Sequence, residues 1–390
     1  MNTRKSLQLI LVVFYMTSLV PAHSMPHFKK GDTQENIVIG KKIRIVSQIL
    51  KEWRPLEVYL PDNYERSEEP YPVMLVLDGD WAFRYCVSIV DMISPNYIPR
   101  MIVVGLPNTD RRRDLDPIRG GEQAERDTEK FVKFLNQELF VELAKKYRTR
   151  DYRILVGHSL AGLFTLYTFL KIPSLFDAFI ASSPGLSLPG CLKYFGGLLD
   201  DLPTGSLSGK YLFYSAGGNE PEELHTGIYD FNDLLNSRLN PDLKWDFEIF
   251  EGEGHVPIRG FYQGVMNHFS GWIPELEFFR SGTLDYIKKH YKALTERFGF
   301  KILPPTPILN SVGRRFLRNN EFQSAIQLYK YFVELYPESS SGFMALADIY
   351  TRVDKADLAI QSLRKALDLE PDNEEAKKLL DELLKRNPLN

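Results

Sequence analysis

Ser159 has the clearest potential for chemistry, because it stands between an apolar run and a helical pattern, in Gly157-His158-Ser159-Leu160-Ala161. A serine on such a strand–turn–helix junction is exposed at the end of its strand and can act as a nucleophile. The usual pattern has glycine where this chain has Ala161, and Gly162 comes next. Since alanine is small enough for the sharp turn, we expect Ser159 to be a nucleophile.

A serine hydroxyl needs a general base, and the base needs an acid that orients it. Downstream of Ser159, Glu220 and His255 each follow an apolar run that ends in a glycine-containing loop. Serine, acid and histidine follow one another in this order along chains with this kind of junction. We therefore predict a triad of Ser159, Glu220 and His255.

Other residues could take two of these roles. Glu222 and Glu223 lie close to Glu220 in the chain and could supply the acid. The other downstream histidines, none of which directly follows a strand-like run, are His225, His268 and His290. His158 is expected to pack at the turn, because adjacent residues on such a turn point apart.

A developing oxyanion needs two fixed N–H donors. The N–H of Leu160, directly after the nucleophile and at a helix N-terminus, is one candidate. The N–H of Asp80, in the polar turn that follows an early apolar run, is the other. Trp81 would then line the substrate pocket, unless it packs into the core at the start of the next helix.

Apolar runs alternate with helical patterns over the larger, amino-terminal part of the chain. Continuous runs of this kind are typical of strands buried on both faces. The runs span residues 71–80, 101–106, 153–156, 178–181, 211–215 and 245–250, after two earlier strands at 41–49 and 56–60. This alternation predicts an α/β fold with a mostly parallel central sheet. Sites in such sheets form beyond the carboxyl ends of strands, where the candidate residues are placed.

Several motifs together resemble the putative-esterase family of α/β hydrolases, which includes esterase D, feruloyl esterases and ferric-enterobactin esterases. The motifs are Val58-Tyr59-Leu60-Pro61, Tyr71-Pro72-Val73, Leu77-Asp78-Gly79-Asp80, Val103-Val104-Gly105, Arg113-Asp114-Leu115-Asp116-Pro117, Gly157-His158-Ser159, Ser183-Pro184 and Gly254-His255. The resemblance, over residues 41–272, implies an α/β-hydrolase fold with the nucleophile at Ser159, the histidine at His255 and the acid at or near Glu220. Some siderophore-esterase members work with a Ser–His dyad, in which the acid is dispensable.

The resemblance implies a serine esterase that acts through an acyl-enzyme and needs no cofactor. The expected substrate is a siderophore trilactone of the enterobactin type or another small ester. One alternative is a carbohydrate-linked acetyl or feruloyl ester. Another is a non-catalytic hydrolase fold that serves as a binding platform. The presence of all three candidate catalytic residues in the expected order argues against this alternative.

The run Arg111-Arg112-Arg113 follows the second core strand, at the edge of the sheet where substrate would arrive. Its positive charge would suit an anionic substrate such as a catecholate siderophore. Arg113 is the candidate substrate-binding residue of the run. The alternatives are that Arg111 and Arg112 are solvated loop charges and that Arg113 braces the loop through a nearby carboxylate.

The C-terminal part of the chain repeats itself at a fixed spacing, which is a sign of a helical repeat array. The matched pairs are Gly313 and Ala347, Phe316 and Tyr350, Ala325 and Ala359, and Pro337 and Pro371. This pattern resembles two tetratricopeptide repeats at 306–339 and 340–373, followed by a capping helix. The predicted domains are therefore a hydrolase domain at 25–300 and a small all-α domain at 306–390. We expect the repeats to bind a protein partner, to self-associate or to dock on the hydrolase domain.

The segment 1–24 has the features of a secretory signal peptide. Arg4 and Lys5 precede an apolar run at 7–20, and Ala22-His23-Ser24 offers small residues for cleavage. We expect a secreted or periplasmic protein with no membrane span after cleavage, the alternative being an uncleaved anchor. The formal net charge of −3 gives no reason to expect a nucleic-acid partner.

The chain contains two cysteines, Cys86 and Cys191. Their number and spacing exclude a cysteine metal site, and no other metal site is predicted. They could pair in an oxidising compartment. We expect two free cysteines, because Cys86 lies in a helical apolar pattern.

Overall fold

The computed structural model describes residues 37–238, 243–255 and 258–386. The predicted signal peptide, residues 1–24, lies outside the described residues. From Ile39 onward the chain forms one compact unit. We call residues 39–299 the body and residues 306–386 the tail. The domain boundary expected near residues 300–306 stays a prediction, since one apolar core continues across it.

A single sheet organises the body. Its strands are β1 (Lys41–Ser47), β2 (Glu52–Tyr59), β3 (Tyr71–Leu77), β4 (Ile102–Leu106), β5 (Thr149–His158), β6 (Ala178–Ser182), β7 (Tyr211–Gly217) and β8 (Lys244–Phe250). They lie in the order β1-β2-β4-β3-β5-β6-β7-β8. The pairs β1–β2 and β2–β4 are antiparallel, and the other pairs are parallel. The predicted mostly parallel α/β sheet is confirmed.

Helices cover both faces of the sheet. Those of the body are α1 (Gly79–Ile93), α2 (Arg111–Leu115), α3 (Glu122–Phe134), α4 (Phe140–Lys146), α5 (Leu160–Lys171), α6 (Cys191–Asp200), α7 (Glu222–Arg238), α8 (Ile258–His268), α9 (Leu276–Ser281) and α10 (Leu284–Phe298). Helices α1, α8 and α10 contribute to the core on one face, whereas α3 to α7 contribute to the core on the other. Because successive strand residues point to opposite faces, the fully buried runs of β3, β4, β6 and β7 feed both cores.

The two cysteines are free and buried. Cys86 belongs to the core on the α1 and α8 face, whereas Cys191 belongs to the core on the opposite face. The sheet therefore lies between them, which explains why they do not pair.

The tail is a run of helices, each in contact with the next, that recurs at the spacing of the sequence repeat. Its helices are α11 (Thr306–Arg318), α12 (Phe322–Leu335), α13 (Ser340–Arg352), α14 (Ala356–Leu369) and α15 (Glu374–Arg386). A side chain at Gly313 would overlap the ring of Tyr329, so glycine there lets α11 and α12 cross closely. Leu309, Val312 and Phe316 extend the core of the α1 and α8 face into the tail.

The tail joins the body at the amino edge of the parallel strands. The ring of Phe300, in the linker, lies 5.2 Å from that of Tyr152, near the start of β5. The hydroxyl of Tyr336, just after α12, donates to the carbonyl oxygen of Pro304 at 3.0 Å. The junction therefore lies at the opposite edge of the sheet from the carboxyl ends of the strands.

Candidate active site

Ser159 occupies a strained turn between β5 and α5. Its φ of 57° and ψ of −116° are unusual for a residue with a side chain. A side chain at Gly157 would overlap the carbonyl oxygen of Ala161, so the turn requires glycine at 157. The backbone of Ser159 is pinned by bonds to Ser182 and Gly185, at 3.0 and 3.1 Å. The methyl group of Ala161 is fully buried, so alanine fits where the usual pattern has glycine.

Glu220 and His255 form a hydrogen-bonded pair after β7 and β8. The Nδ1 atom of His255 lies 3.0 Å from Oε2 of Glu220. The side chain of Glu220 is fully buried, whereas that of His255 is 41% exposed. The other carboxylate oxygen accepts hydrogen bonds from the Ser183 hydroxyl at 2.5 Å and the Gly217 N–H at 2.7 Å. Burial raises the pKa of Glu220, but the bonds from His255, Ser183 and Gly217 outweigh it, and the net pKa is lowered.

Backbone contacts hold the two loops together. A side chain at Gly217 would overlap the carbonyl oxygen of Gly254, so the end of β7 packs directly on the residue before His255. The Asn219 N–H donates to the Glu253 carbonyl at 2.8 Å. The position of His255 relative to Glu220 is therefore set by backbone rather than by long side chains.

The alternative acids and bases lie elsewhere. Glu222 and Glu223 are exposed in the first turn of α7. The Nε2 atom of His225 lies 2.7 Å from the carbonyl oxygen of Gly217. His268 is buried at the end of α8, with Nε2 2.6 Å from the Tyr152 hydroxyl. His290, on α10, lies 3.3 Å from the carbonyl oxygen of Trp272. Of the candidate pairs, the structure brings together Glu220 and His255.

His158 joins the serine loop to the histidine loop. Its ring centroid lies 4.4 Å from that of His255 and 5.5 Å from that of Trp81. Burial, followed by the charge of His255, lowers the pKa of His158 to about 4. His158 is therefore neutral at pH 7. Because its ring contacts that of His255, and His158 directly precedes Ser159, His255 lies close to the nucleophile loop.

The two predicted oxyanion donors are backbone groups in the first turns of helices. Such N–H groups have no acceptor within the helix. Leu160 opens α5, and Asp80 is the second residue of α1. The turn before Asp80 contains Asp78 in a left-handed conformation, with φ of 53°. Arg111 fixes this turn by donating from Nε and Nη2 to the two carboxylate oxygens of Asp78, each at 2.7 Å.

Arg113 lies in a separate ion network. Its guanidinium donates to both carboxylate oxygens of Glu52, at 2.8 and 2.9 Å, and to Asp114 at 2.8 Å. Arg54, itself buried, also donates to Asp114 at 2.6 Å. These contacts favour the bracing role over the substrate-binding role predicted for Arg113. Arg111 is the member of the arginine run that reaches the loops around Ser159, with Nη2 3.4 Å from the His158 carbonyl.

Two supporting residues were missed by sequence reasoning. Ser183 donates to Glu220, and Arg111 anchors the turn before Asp80. Ser183 directly follows the buried strand β6, so the rule that placed Glu220 and His255 at strand ends could also have found it. The partner of Arg111 lies 33 residues away in the chain, and no local signal points to it.

A cavity of about 520 Å³ opens beside the Glu220 loop. Its apolar wall comes from Leu186, Leu188 and Leu192, and its rim includes Glu222 and Glu223. The described residues contain no group of three or more histidines, cysteines or carboxylates arranged to hold a metal ion. Within the same residues, every helix is too short or too polar to cross a bilayer.

Known proteins share both sequence and fold with this chain. Residues 47–210 match the family described as Putative esterase. This segment contains Ser159 and the turn before Asp80, and it ends before Glu220 and His255. Ferri-bacillibactin esterase BesA of Bacillus subtilis is 24% identical over 148 residues, which cover 33% of this chain and 47% of the relative. The chain thus spans about half the length of this curated relative.

Two solved structures share the fold of this chain. An IroE-like serine hydrolase from Shewanella oneidensis is 26% identical with a TM-score of 0.63, and the match covers 75% of this chain and 99% of that one. An uncharacterised protein from Capnocytophaga ochracea is 18% identical with a TM-score of 0.62, and covers 87% of this chain and 99% of that one. A match to 87% of this chain is too long to fit within residues 1–299. The second match therefore includes part of the sequence beyond the body.

Proposed function

We propose that this chain is a serine esterase that hydrolyses carboxylic esters through an acyl-enzyme. The observation that carries the proposal is the His255–Glu220 pair, which lies at the same edge of the sheet as the strained turn of Ser159. The family match over residues 47–210 and the likeness to a serine hydrolase support it.

The residues divide the reaction between them. Ser159 Oγ attacks the ester carbonyl while Nε2 of His255 accepts its proton, and Glu220 stabilises the imidazolium through Nδ1. The N–H groups of Leu160 and Asp80 stabilise the oxyanion. His255 then gives the proton to the leaving alcohol. Water, deprotonated by His255, attacks the acyl-enzyme, and the bond to Ser159 Oγ breaks. His255 returns the proton to Oγ, which releases the acid and free Ser159.

The proposed substrate is a siderophore lactone or another small ester. BesA is described as a ferri-bacillibactin esterase, and the Shewanella protein as IroE-like, which supports this class for the present chain. In this proposal one part of the substrate occupies the cavity beside the Glu220 loop, and another part contacts Trp81, whose ring packs on that of His158. A trilactone of N-acylserine, assayed against its linear trimer, tests the substrate class directly.

Hydrolysis of p-nitrophenyl acetate and octanoate tests the reaction. Ser159→Ala and His255→Ala are expected to lower kcat by on the order of a thousandfold or more. Glu220→Gln is expected to lower kcat as well, while Asp233→Asn, which neutralises an exposed acid on α7 away from the cavity, serves as the control. A fluorophosphonate probe should label the wild type and leave Ser159→Ala unlabelled. Equal rates for wild type and His255→Ala would contradict the mechanism.

We also infer that the tail is a tetratricopeptide-like array that contacts a protein partner or a second copy of the chain. The even spacing of α11, α13 and α15, which begin at Thr306, Ser340 and Glu374, supports this reading. The amino-terminal pattern at 1–24 supports export to the periplasm or the medium. Cross-linking of the purified protein tests whether the chain associates with itself. Cell fractionation, with amino-terminal sequencing of the mature chain, tests export.

A further inference from the structure

A cavity of about 520 Å³ lies where the tail joins the body. Tyr71 and Arg150, at the starts of β3 and β5, form part of its wall, and residues 300–303 and 305 of the linker, with 306 and 307 of α11, form another part. We call it the junction cavity. It lies at the amino edge of the sheet, so it is separate from the site around Ser159, and none of the proposed chemistry uses it.

The walls of the junction cavity are rigid and largely apolar. They include the prolines Pro70, Pro72, Pro95, Pro99, Pro305 and Pro307. Proline fixes φ, so this backbone is preorganised and a ligand would lose little affinity in ordering it. Aromatic rings complete the walls, and hydrogen bonds fix two of them. Trp272 donates from Nε1 to the Pro95 carbonyl at 3.1 Å, and Tyr336 donates to the Pro304 carbonyl.

The charge around the junction cavity is positive. Arg100, Arg150 and Lys301 line it, and Glu69 is the carboxylate among its lining residues. Arg150 is engaged, because it pairs with Glu69 at 3.2 Å and its guanidinium lies 4.8 Å from the centre of the Phe300 ring. Arg100 and Lys301 form no ion pair with any residue that the structure describes.

The positive charge of Arg100, in the body, affects the ionisation of Tyr336, in the tail. Burial raises the pKa of Tyr336 to about 12, and the positive charge of Arg100 opposes that rise. Arg100 belongs to the body and Tyr336 to the tail, so the cation acts on groups from both sides of the cavity. A negative charge placed between Arg100 and Lys301 would be stabilised by two cations that lack carboxylate partners.

We propose that the junction cavity binds an apolar monocarboxylate, with its carboxylate at Arg100 and Lys301 and its apolar part against Trp272 and Phe300. The volume falls in the range of small-molecule sites. Arg150 is already paired with Glu69, which leaves Arg100 and Lys301 for a single carboxylate. Thr306, Pro307 and Tyr336 of the tail also line the cavity, so a bound ligand would contact body, linker and tail and would stabilise the junction. This proposal does not depend on the esterase activity.

Calorimetric titration of the full chain with octanoate, and with neutral octanamide of the same length, tests the proposal. Octanoate is expected to bind at least about tenfold more tightly, because its charge gains ionic hydrogen bonds that the amide lacks. Equal affinities, or no saturable binding of octanoate, would overturn the proposal.

Variants then locate the binding site. The double variant Arg100→Gln/Lys301→Gln removes the cations, and Asn96→Trp places a bulky side chain among the lining residues. Each is expected to weaken octanoate binding by about tenfold or more. Lys146→Gln, which removes an exposed cation on α4, should leave it unchanged. Thermal melting without ligand shows whether each variant is folded. Unchanged binding in folded Arg100→Gln/Lys301→Gln would place octanoate elsewhere and refute the proposal.

Discussion

The carboxylate of Glu220 does more than accept one hydrogen bond from His255. Its second oxygen is held by Ser183 and by the Gly217 N–H, so both the position and the charge of the acid are fixed. A fixed anion keeps the imidazole of His255 in the tautomer that can accept a proton at Nε2. The orientation of the base therefore depends on a serine that is not itself part of the triad.

Removing that serine hydroxyl should be measurable. Ser183→Ala is expected to lower kcat/KM about tenfold, because Glu220 loses one of its hydrogen bonds and its pKa rises. The pH–rate profile should change with it, which loss of packing alone would not cause. Ser182→Ala is the matched control, since its hydroxyl faces Ser215 at 3.5 Å rather than Glu220. A Ser183→Ala enzyme with wild-type kcat/KM and pH profile would show that the bond is dispensable.

Residue positions after strands, and the pairing of Glu220 with His255, could be predicted, but the residues that support this pair could not. Ser159, Glu220 and His255 each stand in a small-residue loop after an apolar run, and this pattern is local. The bond from Ser183 to Glu220 joins residues 37 apart in sequence. It exists because β6 and β7 are neighbours in the sheet, which only the folded chain specifies.

At the scale of elements, the turn between β5 and α5 depends on one glycine rather than two. Gly157→Ala is expected to cost more than about 3 kcal/mol and to abolish activity, because the new methyl group would overlap the Ala161 carbonyl. Ala161→Gly, which restores the usual pattern, should keep its activity and lose roughly 1 kcal/mol through helix propensity. Urea unfolding and ester hydrolysis of both variants check this. A stable, active Gly157→Ala protein would contradict the geometry of the turn.

The start of β2 shows where strand prediction failed. The sequence indicates a strand from Leu56, yet β2 begins at Glu52 and runs through Pro55. Proline is tolerated where a strand has a partner on one side only. Strand β4 pairs only with Glu57–Tyr59, so Pro55 lies in such a place. Strand β2 is longer than its partner β4, so its first residues lack a partner on that side. This depends on how the strands pair in the fold, and the periodicity of the sequence gives no sign of it.

The end of α8 contains a group that should make stability depend on pH. Burial, followed by the charge of Arg297, lowers the pKa of His268 to about 3. The unfolded chain takes up a proton near pH 6.5, whereas the folded chain does not until about pH 3. Stability is therefore expected to fall as the pH drops from about 6.5 to 3, by up to about 1.4 kcal/mol per unit from this group.

Urea titrations at pH 7 and pH 5 measure this dependence. The groups packed on His268 include Tyr152, Tyr211, Phe269 and Phe298. His268→Gln should be less stable than wild type at pH 7, since it disturbs this cluster. It should also lose less stability than wild type on going to pH 5, because glutamine does not titrate. Parallel losses in the two proteins would assign the pH dependence to other groups.

At the scale of the whole molecule, body and tail share one core. Tyr291 and Phe298 of α10 belong to the same buried cluster as Leu309 and Phe316 of α11. The repeat pattern was visible in the sequence, because small and aromatic residues recur at fixed spacing. Docking of the repeats on the hydrolase domain was among the expectations, but the residues of the shared core could not be named, since they depend on which face of α10 the tail covers.

A shared core predicts joint unfolding of body and tail. Leu309→Ala should lower the free energy of unfolding by about 2–5 kcal/mol, because Leu309 is fully buried. The four tryptophans, Trp53, Trp81, Trp245 and Trp272, all lie in the body. Their fluorescence and the far-ultraviolet circular dichroism should therefore shift to the same lower midpoint. A fluorescence midpoint that stays at the wild-type value would show that the tail unfolds alone. Ester hydrolysis by the folded variant should be unchanged.

Because the tail joins the amino edge of the sheet, Ser159 lies at the edge opposite the junction. Arg150 and Ser159 stand nine residues apart on one strand and its turn, which is about 30 Å of extended chain. A chain anchored through its tail would thus turn its nucleophile away from the anchor and toward the surrounding fluid. Substrate could then arrive by free diffusion while the anchor stayed engaged. Binding through the tail and ester hydrolysis would then take place on separate faces of one molecule, although the shared core couples their stability.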